Sequence, residues 1–317
     1  MSSRIIVDGL QISNWNRSLL EENKSGGVNS LNATCAVWDS TLETIQNISD
    51  WLAFTRDNAD LVSLATSAGE IRKIVGEQRI AVILGFQNTS PFDQDYKLVE
   101  IFYRLGVRIA QLTYNIQNYV GSSCYDPTDG GLTRFGQVIV SEMNRVGMLI
   151  DLSHVGHRTA REAIDNSSVP VAITHANPSW FVDSPRNKPD EVINHLVSRG
   201  GVIGACLYPN LIGGKQAKIT DFIEMVIRLI DQVGINHVAI GSDVTRNWDA
   251  HFLNHLRDGR WRQTENAEWP EWPDWFSTPE DFPRLIDALA SKGLSESDLD
   301  ALFGNNWLNL FEEVFGQ

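Results

Sequence analysis

Seven polar or titratable residues stand at the ends of short apolar runs: Asp8, Gln87, Tyr114, Asp151, His154, His175 and Asp243. If the runs are parallel strands, these residues converge on one pocket, because barrel enzymes draw catalytic groups from the ends of several strands. Asp151-Leu152-Ser153-His154 follows one run and Thr174-His175-Ala176-Asn177 the next, which sets two imidazoles on adjacent strand ends. Neutral imidazole is a good zinc ligand. With a third ligand and an open position, two such rings would make a hydrolytic centre that yields hydroxide near neutral pH. Histidines satisfied by backbone hydrogen bonds would read the same, so both readings stand at this point.

Asp243 closes Ile240-Gly241-Ser242-Asp243. A carboxylate there could ligate a metal, take a proton from water, or cap the next helix. Asp8 follows Ile5-Ile6-Val7 and precedes Gly9, and is read as fixing the first turn rather than as catalytic. Arg186-Asn187 lies in a proline-flanked loop, where a guanidinium could hold a substrate carboxylate or simply face solvent. His157, His195, His237, His251 and His255 lack strand-end positions and are read as structural, with His251 and His255, at helical spacing, as lid candidates.

The elements that must position these groups are legible as an alternation. Eight β-branched or apolar runs recur: Ile5 to Asp8, Ala33 to Trp38, Ile80 to Gly85, Arg108 to Thr113, Met148 to Leu152, Val169 to Thr174, Gly201 to Leu207 and His237 to Asp243. Runs this apolar suit parallel strands covered on both faces. Leu42 to Asn58 and Ile219 to Gly234 carry apolar residues at three- and four-residue spacing, which predicts helices between them. Val146-Gly147 and Arg199-Gly200-Gly201 supply glycines that end a helix just before a strand. Eight such units predict a single α/β domain over residues 1–317, a (β/α)8 TIM-like barrel. A doubly wound sheet is the other arrangement, but no GxGxxG loop follows the first strand.

Asp249 to Phe276 breaks the pattern, with Trp261, Trp269, Trp272 and Trp275 among prolines and charges. Lying after the last strand, it reads as an ordered insertion that either caps the pocket or packs as an aromatic loop on the barrel or at a subunit interface. Glu296 to Phe315 reads as a helix closing the outside of the barrel.

Bulk properties set the limits. The 26 basic against 40 acidic residues give a net charge of −14, which disfavours nucleic acid and anionic membrane surfaces as partners. No apolar run is long enough for a membrane span, and Met1 to Asp8 lacks the layout of a secretory signal, so a cytoplasmic location is expected. Cys35, Cys124 and Cys206 form no CxxC arrangement and are read as buried thiols.

Several segments resemble the membrane (renal) dipeptidase family of zinc metallopeptidases, in the same order along the chain. They are Phe102-Tyr103-Arg104-Leu105-Gly106-Val107-Arg108, Gly131-Leu132-Thr133-Arg134-Phe135-Gly136 and Glu142-Met143-Asn144-Arg145-Val146-Gly147-Met148, then Asp151-Leu152-Ser153-His154-Val155, Thr174-His175 and Arg186-Asn187. Phe303-Gly304-Asn305-Asn306-Trp307 adds a weaker terminal match. The resemblance implies a metal-dependent hydrolase barrel that cleaves dipeptides with two bridged zinc ions. It places second-metal ligands on His154 and His175, carboxylate binding on Arg186 and proton handling on Asp243. It also implies a homodimer.

The first-metal side departs from the family. The Asp-Gly-His-x-Asp pattern falls on Asp8-Gly9-Leu10-Gln11-Ile12, and neither Leu10 nor Ile12 can coordinate a metal. The bridging glutamate falls on Gln87, a weak neutral ligand at best, and a substrate-contacting histidine appears as Tyr114. The expectation is therefore at most one zinc ion per chain, at His154 and His175, with Gln87 as a weak third ligand; a dinuclear centre is not expected. Asp243 and Tyr114 are the candidate catalytic residues, and Arg186, Tyr114 and Gln87 the candidate binders of a small polar or amino-acid-like substrate such as a dipeptide or other amide. A metal-free acid–base catalyst using Tyr114, His154 and Asp243, or a ligand-binding descendant without catalysis, is the alternative.

Overall fold

Among the described residues, 4–259 and 267–316 of this computed structural model, nine strands pair in parallel. They are β1 (Ile6–Gln11), β2 (Val28–Ala36), β3 (Val62–Leu64), β4 (Ile80–Phe86), β5 (Val107–Gln111), β6 (Leu149–Asp151), β7 (Ala172–Ile173), β8 (Val202–Ala205) and β9 (Val238–Ile240). Eight follow one another in the order β1-β2-β4-β5-β6-β7-β8-β9. The circle closes where the Asp243 N–H donates to the Leu10 carbonyl and the Ile12 N–H to the Val244 carbonyl, each at 3.0 Å. This is the (β/α)8 arrangement expected from the alternation of runs. No described helix is long and apolar enough to cross a membrane.

β3 was not anticipated. It pairs with Ile80 to Val82 of β4, whereas β5 pairs with Leu84 to Phe86, so the two share one edge of β4 in tandem. Three residues are too few to show an alternation in sequence. β2 also starts earlier than its apolar run, at Val28, because Ser30 and Asn32 are buried polar members of the strand. Asn32 donates its amide to the Gly9 carbonyl at 3.0 Å, while its Oδ1 is buried without a hydrogen-bond partner.

Local signals set the helices that space these strands. Ser40 caps Thr41–Asp57, its side chain accepting from the Glu43 N–H while the Glu43 carboxylate returns to the Ser40 N–H, a capping box. Thr133 caps Arg134–Val146, and Gly147, at φ +84°, ends it in the left-handed conformation that lets the chain turn into β6. Cys35 and Cys206 are buried as expected, but Cys124 is only half-buried because it lies in the long connection after β5.

The C-terminal helix corrects its expected position. Asn306–Phe315 touches β1, β6, β8 and β9, strands that do not all neighbour one another, so it cannot lie on the outer wall. Its Trp307, Leu308 and Phe311 join Val7, Leu149, Ala172, Val202 and Ala239, from the early part of their strands, in one core. The helix thus plugs the N-terminal mouth of the barrel, and Trp307 reaches far enough inside to donate to the Ile240 carbonyl at 2.9 Å. Small residues make that room: a Cβ on Gly9 or Gly204 would meet the Trp307 ring.

Candidate active site

The polar residues marked in sequence gather at the opposite, C-terminal mouth. A cavity of about 610 Å³ there is lined by Gln87, Tyr114, His154, Arg186 and Asp243, with Ile12 on one wall. Trp269 and Leu256, from the segment after β9, also line it. That stretch contains a regular helix, Ala250–Asp258, which carries His251 and His255 at the helical spacing noted in sequence. Trp275 instead donates to the Ala217 carbonyl, Trp272 packs edge-on against Tyr208, and Trp261 lies outside the described residues.

Asp151, the last residue of β6, organises the two histidines. Its Oδ1 accepts from the Ser153 N–H (3.0 Å), the Ser153 hydroxyl (2.6 Å) and the Thr174 N–H (2.9 Å), and its Oδ2 from the Thr174 hydroxyl (2.7 Å). These bonds tie the end of β6 to the end of β7, three residues before His154 and one before His175. Arg186 fastens the same two segments from the other side, donating from Nη1 to the Ser153 carbonyl and from Nη2 to the His175 carbonyl. Two of its five N–H groups are thereby engaged.

The ring orientations follow from these partners. His154 Nδ1 is 2.8 Å from Asn115 Oδ1, and the Asn115 amide nitrogen faces the Leu256 carbonyl, which can only accept. Asn115 Oδ1 is therefore an acceptor, and His154 Nδ1 carries the hydrogen. Thr174 spends its hydroxyl hydrogen on Asp151, so its oxygen accepts from His175 Nδ1 at 2.8 Å. Burial first, and then the positive charge of Arg186, hold both imidazoles well below the usual histidine range, hence neutral. Both Nε2 atoms consequently present lone pairs, and they face each other at 3.1 Å.

Facing lone pairs repel, and a positive centre between them relieves the repulsion. Two imidazoles on one tetrahedral zinc, at about 2.0–2.1 Å each, would hold their nitrogens about 3.3 Å apart, so the pair fits a single cation. Hydrogen-bonded Nδ1 atoms are also what metal-ligating histidines need to fix their tautomer. A second cation finds no such fit. Leu10 and Ile12 are buried and offer no donor atom, and Gln87 donates its amide to Thr34 Oγ1 at 2.9 Å. Among the described residues no three His, Cys, Asp or Glu side chains meet around one point.

Asp243 lies three residues past β9, at φ +57°, a left-handed conformation that aspartate tolerates better than most side chains. Burial pushes its carboxyl up to about 7, with Asp8 and Asp151 adding to the rise and Arg186 opposing it. Tyr114 stacks on His154, ring centroids 4.1 Å apart, and burial keeps its phenol protonated far above neutral pH. Asp8 is not at a strand end but inside β1, fully buried. It accepts from the Ser242 N–H (2.7 Å), the Ser242 hydroxyl (2.5 Å) and Gln11 Nε2 (2.9 Å), which makes it a clamp between β1 and the segment after β9. That agrees with the structural reading.

Several polar cavity residues escaped the sequence reading, among them Asn115, Tyr125, Tyr208, Asn210, Thr245 and Arg257. Tyr208 and Asn115 sit just after β8 and β5, so strand-end position was a usable signal. Arg257 stands on the helix Ala250–Asp258, where no strand marks it.

Comparison with known proteins agrees with this architecture. The chain is 36% identical to an amidohydrolase from Pseudomonas aeruginosa over 99% of its length and 97% of that chain, with a TM-score of 0.94. A metallopeptidase from Rhodobacter sphaeroides, solved with a phosphinate mimic of the dipeptide L-Ala-D-Ala, shares the fold at 18% identity, a TM-score of 0.84, and 98% and 100% coverage. Among curated proteins, the dipeptidase verJ of Clonostachys rogersoniana is 28% identical over 88% of this chain and 67% of its own length. An uncharacterized dipeptidase of Schizosaccharomyces pombe is 33% identical over 59% of this chain and 46% of its own. The chain thus spans about half to two thirds of the curated relatives it matches. The family model for membrane dipeptidase, peptidase family M19, matches residues 13–251. On that match the chain belongs to the membrane dipeptidase family.

Proposed function

We propose that this chain hydrolyses an amide bond in a small dipeptide-like substrate, and that its site takes no more than one divalent metal ion, zinc by family precedent. The observation that carries the reading is the facing pair of His154 and His175 Nε2 lone pairs at 3.1 Å, beside an aspartate whose proton affinity is close to neutral. A cation held by the two imidazoles would supply Lewis-acid polarisation of the scissile carbonyl.

The chain's own groups account for the rest. Asp243, with its carboxyl near 7, accepts a proton from the attacking water and returns it to the leaving amine. The Tyr114 phenol, which stays protonated, donates a hydrogen bond to charge developing on the carbonyl oxygen. Arg186 holds the substrate carboxylate with the N–H groups it does not spend on the Ser153 and His175 carbonyls, and Arg257 faces the same cavity. Gln87 contributes an amide oxygen to the same wall.

The test is metal content by elemental mass spectrometry of protein purified without added metal or chelator, alongside His154→Ala and His175→Ala, with hydrolysis of a dipeptide and N-acyl amino acid panel followed by mass spectrometry. Near one zinc per chain, lost in both variants together with turnover, is the expected result. Two tightly held ions would refute the single-metal reading. Saturable ligand binding without product after long incubation would favour a binding protein instead.

A further inference from the structure

A second cavity, of about 360 Å³, adjoins the first across Ile12, which lines both. Its walls are aromatic. Trp15, Trp51 and Phe54 line the cavity, with ring centroids 5.5 Å apart for Trp15 and Trp51 and 5.7 Å for Trp51 and Phe54. Trp248 and Phe252, stacked at 3.5 Å and 15°, line it as well. Two further wall residues are carboxylates, Asp39 and Asp50, another is the imidazole of His255, and no lysine or arginine lines the space.

Neither carboxylate is neutralised. Asp39 accepts from the Val37 N–H at 3.0 Å and from Asn47 Nδ2 at 3.1 Å, and Asp50 from Gln46 Nε2 at 2.9 Å, all neutral donors. Among the described residues no cationic side chain lies within ion-pair distance of either. The negative field reaches inward, since Asp39 adds to the effect of burial in pushing the Cys35 thiol up.

Aromatic rings and carboxylates around one space, with no lysine or arginine lining it, are surroundings that stabilise an alkylammonium group, whose charge is spread over methyl groups too bulky for a tight ion pair. An ordinary apolar ligand would gain nothing from Asp39 and Asp50, and an anion would be repelled by both and by the π faces. We propose that this pocket binds a small alkylammonium compound, the ammonium lying among the rings of Trp15, Trp51, Trp248 and Phe252 and near the carboxylates of Asp39 and Asp50. This proposal stands independently of amide hydrolysis at the neighbouring site.

Isothermal titration calorimetry and tryptophan fluorescence of the full chain, with choline, tetramethylammonium and the neutral carbon isostere 3,3-dimethylbutan-1-ol, test it. Choline is expected to bind saturably and about tenfold or more tighter than the isostere, in keeping with cation–π recognition by several rings. Phe252→Leu and Asp39→Asn should each weaken choline by about three- to tenfold without weakening the isostere. Far-UV circular dichroism reports whether the variants fold, and the comparison of choline with its isostere on the unaltered protein needs no variant. Equal binding of choline and isostere would overturn the cationic class, and no saturable signal at about 50 mM choline, far weaker than several cation–π contacts allow, would overturn the site itself.

Discussion

His154 and His175 point their Nε2 atoms at one another across 3.1 Å, each ring locked from behind by a single side chain, Asn115 for one and Thr174 for the other. The lock is as informative as the pair. Asn115→Ala removes the acceptor that holds the His154 tautomer and touches neither Nε2 atom. Such outer partners are typically worth about 10- to 100-fold in metal affinity. Competition with a chromogenic chelator should show a loss of that size; unchanged affinity would mean that the rings are fixed by packing alone.

Asp243 couples stability to pH with a definite sign. Its carboxyl titrates at 3.8 when exposed and about 7 in the folded chain, so the folded state binds the extra proton. The stabilisation is therefore complete below 3.8, declines as pH rises, and is gone above 7. Asp8, raised to about 6, acts in the same direction over a narrower window. In chelator-treated protein, Asp243→Asn should melt higher than the wild type at pH 8, with the gap closing toward pH 4, while amide turnover of the metal-loaded protein falls about 10²- to 10⁴-fold. A wild-type melting curve that rises from pH 4 to pH 8 by more than that of the variant would contradict the assignment.

The clamp at Asp8 is a matter of stability. Asp8→Ala would leave the Ser242 N–H, the Ser242 hydroxyl and Gln11 Nε2 without their shared acceptor in a site closed to solvent. A loss of about 3 kcal/mol is expected in urea unfolding, since each stranded buried donor costs about 1–3 kcal/mol and relaxation recovers part. A change under about 1 kcal/mol would show that water or a shifted strand replaces the carboxylate.

Gly241 tests the spacing of the strand ends. A Cβ placed there would lie 1.8 Å from the Thr174 carbonyl oxygen, so Gly241→Ala must move the end of β7, which carries His175. Lower melting temperature and weaker metal binding should appear together. Loss of stability with metal affinity intact would mean that the displacement is absorbed on the β9 side.

The barrel was legible because its strands are fully buried apolar runs separated by capped helices. Seven of the marked residues did reach the strand ends or the clamp that closes them, as their positions after those runs implied. What stayed hidden has local causes. β3 is too short to carry a pattern, β2 is broken by buried Ser30 and Asn32, and Arg257 reaches the cavity from a helix whose tryptophan- and proline-rich surroundings gave no period. Leu10 and Ile12 could be read as losses only against the family pattern, because two apolar residues at the start of a barrel are otherwise unremarked. The aromatic pocket beyond Ile12 joins Trp15, Trp51 and Trp248, which no sequence spacing connects.

The plug at the N-terminal mouth sets an order in time. Val7, Ala81, Ala172 and Ala239 are too small to fill the funnel they line, and the bulk they lack is supplied by Trp307 and Phe311. A chain being synthesised therefore possesses all its barrel strands some tens of residues before it possesses the stopper that makes them stable as a ring. Until the stopper arrives, that funnel is wet and β1 has its longest-range partner still to come, a contact whose loop closure makes it slow. The nascent barrel is thus an open vessel until the segment that carries Trp307 and Phe311 arrives to seal it.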